Sequence, residues 1–151
     1  MESKDLLRDL NLAAARPFIE YPPTPWWYPA LMGGYFAAIA AAMFLGANGH
    51  GVVAFGVFGV AIVTLGLFFR WYRSRWGTWP QMSEAPPEIR RAYRLAFTGA
   101  SAALVLTVAV GFLSPPLVTV AVTFVIFTTS VWAYERRVYP AACAAVRSRL
   151  A

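Results

Sequence analysis

Charge is scarce in this chain. Only 13% of its 151 residues are Asp, Glu, Lys or Arg, about half the ~25% of an ordinary soluble domain. Cysteine and histidine each occur once, as Cys143 and His50. One thiol cannot close an internal disulfide, and one Cys with one His cannot make a zinc site. Every cation except Lys4 is an arginine. There is no G-x-x-x-x-G-K-S/T loop to cradle a phosphate, no H-E-x-x-H and no Cys pair. The acids Glu84, Glu88 and Glu135 lie near arginines and read as solvated interface charges, not as a catalytic pair. The expectation is a protein that is not an enzyme, with no catalytic residue, cofactor or metal site.

What is present is apolar, at 59% of residues, and it is segregated from the charge. All acidic and basic residues fall in four stretches: Glu2–Glu20, Arg70–Arg75, Glu84–Arg94 and Glu135–Arg149. The nineteen residues from Gly51 to Phe69 carry no charge. As a helix they reach about 28 Å, close to the ~30 Å hydrocarbon core of a bilayer. They end in FRWYRSRW, where aromatic rings suit the headgroup level and arginines the water beyond.

The same reading along the chain gives an all-α protein with four transmembrane helices arranged as two antiparallel hairpins. The spans are about 30–47, 51–69, 95–113 and 117–134, within a transmembrane domain 30–139. Residues 1–29 form a segment of their own before the first span. Within it, residues 2–16 read as a short amphipathic helix, with Leu6, Leu10 and Ala13 at helical spacing, lying on the membrane or docked to a partner. Residues 17–29, with Pro17, Pro22, Pro23, Pro25 and Pro29, read as irregular chain, and Trp26 and Trp27 as interface anchors. ANGHG at 47–51 and Ser114-Pro115-Pro116 read as tight turns, the second with Ser114 as helix cap. The link 70–94 is the longest polar connection, and the next helix is expected to start near Pro86. Pro140 is expected to break the last helix before the tail 140–151. His50 reads as a turn histidine and Cys143 as a small apolar residue of an Ala-rich helix; a metal or proton role for the one, and a reactive or palmitoylated thiol for the other, are the alternatives.

In lipid there is little hydrophobic drive between helices, so association needs close backbone approach at small residues. Gly34, Ala38 and Ala42 form such a ladder in the first span, beside Gly33, Ala37 and Ala41. Gly99, Ala103, Thr107 and Gly111 form one in the third. These two ladders are expected to meet, within one chain or across a dimer. Neither short turn contains Lys or Arg, so all thirteen cations fall on one side, which the positive-inside rule makes the cytoplasm. The expected location is the plasma membrane, with both termini cytoplasmic. The net charge of +6 then reflects threading and not nucleic-acid binding. Arg70, Trp71, Arg73, Arg75, Arg136 and Arg137, with Trp26 and Trp27, are the expected contacts to anionic lipid headgroups.

The TPWWYPALMGG lead-in, the uncharged turns and the YERRVY exit resemble small four-span membrane proteins of actinobacteria that have no assigned activity. The resemblance implies location and a bacterial source, and it carries over no catalytic residue. The chain is also similar in plan to the fourth subunit of actinobacterial cytochrome c oxidase. Its link RWYRSRWGTWPQMSEAPPEIRR lacks that family's acidic stretch, so the likeness is one of architecture.

The functional expectation is a non-catalytic accessory, scaffold or regulatory subunit that packs against a second copy or another membrane protein. The alternative is an oligomeric transporter or channel for a small neutral or hydrophobic solute, lined by Thr119, Thr123, Thr128 and Ser130. The spans hold no ionisable residue of the kind that marks proton- or ion-coupled pathways.

Overall fold

The computed structural model describes residues 2–20, 24–77 and 82–150. Pro22 and Pro23, read above as part of an irregular stretch, lie outside the described residues, as does Pro80 in the link. The elements are α1 (Glu2–Ile19), α2 (Tyr28–Ala47), α3 (Gly51–Trp76), a 3-10 turn (Met82–Glu84), α4 (Pro87–Leu113), α5 (Pro116–Ala133), a π-helical segment (Tyr134–Val138) and α6 (Tyr139–Leu150). The fold is all-α. Among the described residues, four helical stretches are long and apolar enough to cross a membrane: α2, α3, α4, and the continuous run from α5 into α6.

Local chemistry sets the boundaries. Proline occupies the first turn of α2, α4 and α5, where its missing N–H is no loss. Between α2 and α3, Gly49 takes φ 80°, a backbone region that L side chains rarely adopt. The Asn48 side chain donates to the Phe44 carbonyl at 2.8 Å, and the His50 N–H donates to the Leu45 carbonyl at 2.9 Å. These bonds occupy carbonyls that the end of a helix would otherwise leave open. Ser114 does not cap α5: Pro115 holds the N-cap position, with no side-chain bond.

Two prolines do not act as the sequence suggested. Pro17 lies inside α1, and the Glu20 N–H still donates to the Arg16 carbonyl at 3.0 Å. The helix persists past it because Phe18 is seated in a small core, described below. Pro140 lies inside a helix that runs on to Leu150. Immediately before it the turn widens, and the Tyr139 N–H bonds the Tyr134 carbonyl five residues back. A wider turn draws the carbonyls away from the pyrrolidine ring, which relieves the clash that normally kinks a helix at proline.

The spans lie in the order α3–α2–α5–α4. The contact of α2 with α5 is the most extensive, followed by α2 with α3 and then α4 with α5; α3 and α4 make no extensive contact with each other. They are therefore the edges of the layer. Below the layer's arginine-rich end, α6 packs against α1 and α4.

Candidate functional site

Helix α2 has two faces that differ in how tightly they close. On one, Gly33 approaches α5 so nearly that a Cβ added to it would lie 2.8 Å from the Phe124 carbonyl oxygen and collide with Thr128 Oγ1. Phe36 stacks on Phe127 with ring centroids 3.8 Å apart and planes at 15°. Ala37 and Phe127 are buried. Two of the α5 hydroxyls on this side bond within their own helix. Thr123 Oγ1 donates to the Thr119 carbonyl at 2.7 Å, and Thr119 Oγ1 donates to the Pro115 carbonyl at 3.4 Å. Thr128 Oγ1 is buried with no hydrogen-bond partner among the described residues, and Ser130 is exposed. Hydroxyls bonded back to the preceding turn do not line a path, so Thr119 and Thr123 drop out of the proposed solute route, while Thr128 is packed against Gly33 and Ser130 is exposed.

The other face of α2 meets α3 across an open groove of about 690 Å³, lined by Gly34 and Ala38 from α2 and by Gly56, Val57, Val60 and Leu65 from α3. A Cβ added at Gly34 or Gly56 would find nothing within 4 Å. The groove is shut at its arginine-rich end by aromatic rings. Trp27 lies 5.8 Å from both Phe68 and Trp71, and Tyr28 stacks on Phe68 at 5.3 Å. At the turn end Gly46 meets the Ala54 Cβ, 3.8 Å from where its own Cβ would stand.

The ladder in α4 is divided in the same way. Ala103 and Thr107 are buried, and Gly111 lies against Phe44 and Thr119. Gly99 faces open space. So α2 and α4 come together at Phe44 and Gly111, while the broad neighbours of α2 are α5 and α3. Ala42 is buried, whereas Gly34 and Ala38 line the groove. Of the four spans α4 is the least enclosed, with 11% of its apolar stretch buried against 22% for α2. Leu95, Gly99, Ala102, Leu106 and Leu113 recur on one exposed stripe of it.

At the arginine-rich end, Arg70, Arg73 and Arg75 stand exposed on α3, which continues as a helix past the apolar stretch. Arg136 and Arg137 are exposed on the π-helical segment. Trp26 is 84% exposed, whereas Trp27 is drawn into the aromatic cluster with Trp71. None of these arginines takes part in the two ion pairs seen among the described residues, Arg16–Glu20 at 3.1 Å and Arg149–Glu88 at 2.8 Å.

Glu84 is exposed, as its neighbours in sequence implied, whereas Glu88 and Glu135 are less solvated. Glu135 is half-buried, and its carboxylate accepts a hydrogen bond from Thr24 Oγ1 at 2.6 Å. Glu88 ties the start of α4 to Arg149 of the tail. Arg90 holds the link in place by donating to the Ser83 and Ala85 carbonyls at 3.1 and 3.2 Å.

The C-terminal end of α1 is locked to α6. Ala15, Phe18, Ala85, Ile89, Cys143 and Val146 form one buried cluster. Tyr139 OH donates to the Phe18 carbonyl at 2.8 Å, Cys143 Sγ lies 3.8 Å from that same oxygen, and Arg147 donates to the Ile19 carbonyl at 3.3 Å. Carbonyls in the last turn of a helix have no intrahelical donor, so these side chains act as its cap. Of the two positions left open for this helix, lipid or protein, its last turns take protein; Leu10 and Leu12 remain exposed. Cys143 lies on α6 well past the end of the fourth span. Burial pushes its thiol above the ordinary range, with Arg147 acting the other way.

Among the described residues, no group of three or more His, Cys, Asp or Glu side chains gathers where a metal could sit. The fold and its apolar surfaces define a small, multi-pass helical membrane protein. Comparison of the chain with protein-family models, with curated proteins and with solved structures gives no match. The four-span architecture implied by the resemblance is what the fold shows; family and source are not assigned by it.

Proposed function

We propose that the protein is a non-catalytic accessory or scaffold subunit that offers the exposed face of α4 to a transmembrane helix of another protein or of a second copy. One observation carries this reading: the spans form a layer with open edges, and α4 is the edge with the least of its apolar stretch buried. Close helix contact in lipid requires small residues at the interface, and Gly99 and Ala102 supply them on an exposed stripe. The threonines of α5 favour no solute path, since Thr119 and Thr123 are bonded within their own helix.

The proposed setting is the plasma membrane, with the arginine-rich end and both termini in the cytoplasm. Its support is that neither short turn nor any span contains Lys or Arg, since such a residue at the centre of the bilayer costs about 2.5–3.5 kcal/mol on insertion scales. Small four-span membrane proteins of actinobacteria remain the proposed kinship. The free arginines would draw anionic lipid, at about 1 kcal/mol per cation near the surface.

The test is extraction into lipid nanodiscs without detergent, followed by mass measurement of the intact assembly. A complex larger than one chain is expected, and Gly99→Leu should disrupt it. A single chain with no associated protein would refute the proposal. Labelling of cysteines placed at His50 and at Arg75 in intact cells tests the threading: an impermeant reagent should reach the first and not the second.

A further inference from the structure

The groove between α2 and α3 is separate from the α4 face, and its content follows from its dimensions. We propose that it holds one acyl chain of an anionic phospholipid whose phosphate is bound by Arg75. The lining is apolar apart from Tyr35 and Thr64, so water entering it would lack the two to four polar partners that a buried water needs. At the depth of the spans the remaining occupants are a helix or a lipid chain.

Length separates them. From Val53 to Leu65 the groove runs about 18 Å at 1.5 Å per residue. The span 51–69 is centred near residue 60, so the groove crosses the bilayer centre. A chain from the arginine-rich leaflet, with ~15 Å of hydrocarbon, fills its nearer part, and the whole groove is well short of the ~30 Å that a spanning helix from a second copy would need. The two closures agree with this. Trp27, Phe68 and Trp71 shut the arginine-rich end, and the Gly46–Ala54 approach shuts the turn end. A helix could not continue past either closure. A chain entering from the headgroup side needs only to cross the edges of the aromatic rings.

Charge fixes the headgroup. Arg75 lies eleven residues beyond Thr64 and seven beyond Phe68, so it projects from the groove's side of α3. Arg70 and Arg73 fall on other sides of the helix. Arg75 is exposed, and neither ion pair among the described residues uses it. Trp27 and Trp71 stand between Arg75 and the groove, at the level where indole rings meet the glycerol region. Above them a guanidinium presents the planar fork that suits a phosphate.

The experiment compares four forms of the purified protein: wild type, Gly34→Leu/Gly56→Leu, Gly66→Leu and Arg75→Gln. Each is incubated with phosphatidylglycerol or phosphatidylcholine, and bound lipid is counted by native mass spectrometry. Added side chains at positions 34, 56 and 66 all have open space, so each variant should fold, but only the first two point into the groove. Wild type should retain one phosphatidylglycerol. The double variant should bind it at least ~10-fold more weakly, and Gly66→Leu should match wild type. Arg75→Gln should lower the preference for phosphatidylglycerol over phosphatidylcholine about fivefold while phosphatidylcholine is still bound. Undiminished lipid in the double variant would overturn the proposal, as would an unchanged preference in Arg75→Gln. A wild-type dimer that the double variant splits, with no change in lipid, would make a second copy the occupant and overturn it as well.

Discussion

Helix α2 is bordered by two neighbours on adjacent faces, and it treats them differently. Toward α5 the backbones nearly touch: Gly33 has no room for a Cβ, and Phe36 lies flat on Phe127. Toward α3 the next residue, Gly34, has nothing within 4 Å of where a Cβ would stand. Neighbouring glycines, each beginning a ladder of alanines, thus have opposite roles. The difference shows that a small residue in a lipid-facing helix records close approach only where another backbone actually arrives.

The comparison breaks most sharply at the glycines themselves. Gly33→Leu should drive α2 and α5 apart, because besides the Thr128 side chain it meets the Phe124 carbonyl, which is backbone and cannot swing aside. A loss of about 3 kcal/mol is expected, the upper end for overpacking, read as a large drop in the thermal midpoint in detergent. Gly34→Leu should leave that midpoint unchanged within about 0.5 kcal/mol. Equal effects from the two would erase the distinction.

A smaller contrast is expected from truncation. Phe127→Ala removes a buried ring from a face that lipid cannot enter, and should cost about 2 kcal/mol. This is below the ~3–5 kcal/mol of such changes in soluble cores, because transfer from lipid to protein interior adds little. Val57→Ala, on the groove wall, should cost less than about 0.5 kcal/mol, since lipid can follow the surface inward. Both are read by unfolding in mixed micelles.

Next comes the seam between the N-terminal segment and the fourth span. Thr24→Val removes the donor to Glu135, and should lower stability by about 1 kcal/mol. The groove side is unaffected, so lipid retention should stay at the wild-type level, a result that the same native mass measurement checks.

The smallest effect is kinetic. Cys143 is buried and its thiol is shifted upward, so alkylation by a maleimide at neutral pH should be slow in the folded protein. The thiolate fraction rises with pH, so the rate should still be climbing above the pH at which an exposed thiol levels off. Tyr139→Phe removes one bond that holds α1 over this site, and should raise the rate about fivefold, the equivalent of about 1 kcal/mol in local opening.

The spans and turns were legible because charge and hydrocarbon separate so cleanly along the chain. The helix starts at Pro87 and Pro116 were legible because proline in a first turn has a local cause; Pro29, read as irregular chain, lies in the first turn of α2. The partners of each helix face were not. Gly33 and Gly34 are equally apolar and equally small, and in lipid no contrast in polarity marks which face meets protein. Pro17 and Pro140 misled because their constraints are relieved from outside their own segments, by the seat of Phe18 and by the widened turn before Tyr139. Glu135 looked solvated because its partner, Thr24, stands 111 positions away. Such a pairing leaves no trace in either neighbourhood.

The lock at the end of α1 imposes an order of events on synthesis. The carbonyl of Phe18 is capped by Tyr139, 121 positions later, and that of Ile19 by Arg147, 128 positions later. On the ribosome α1 therefore emerges long before its clasp exists, and all four spans must be inserted before the clasp can form. Until then its terminal carbonyls and Phe18 are free for a chaperone, the insertion machinery or the lipid surface. Removing residues 139–151, which include both Tyr139 and Arg147, should return a finished molecule to that nascent condition while leaving the span hairpins in place.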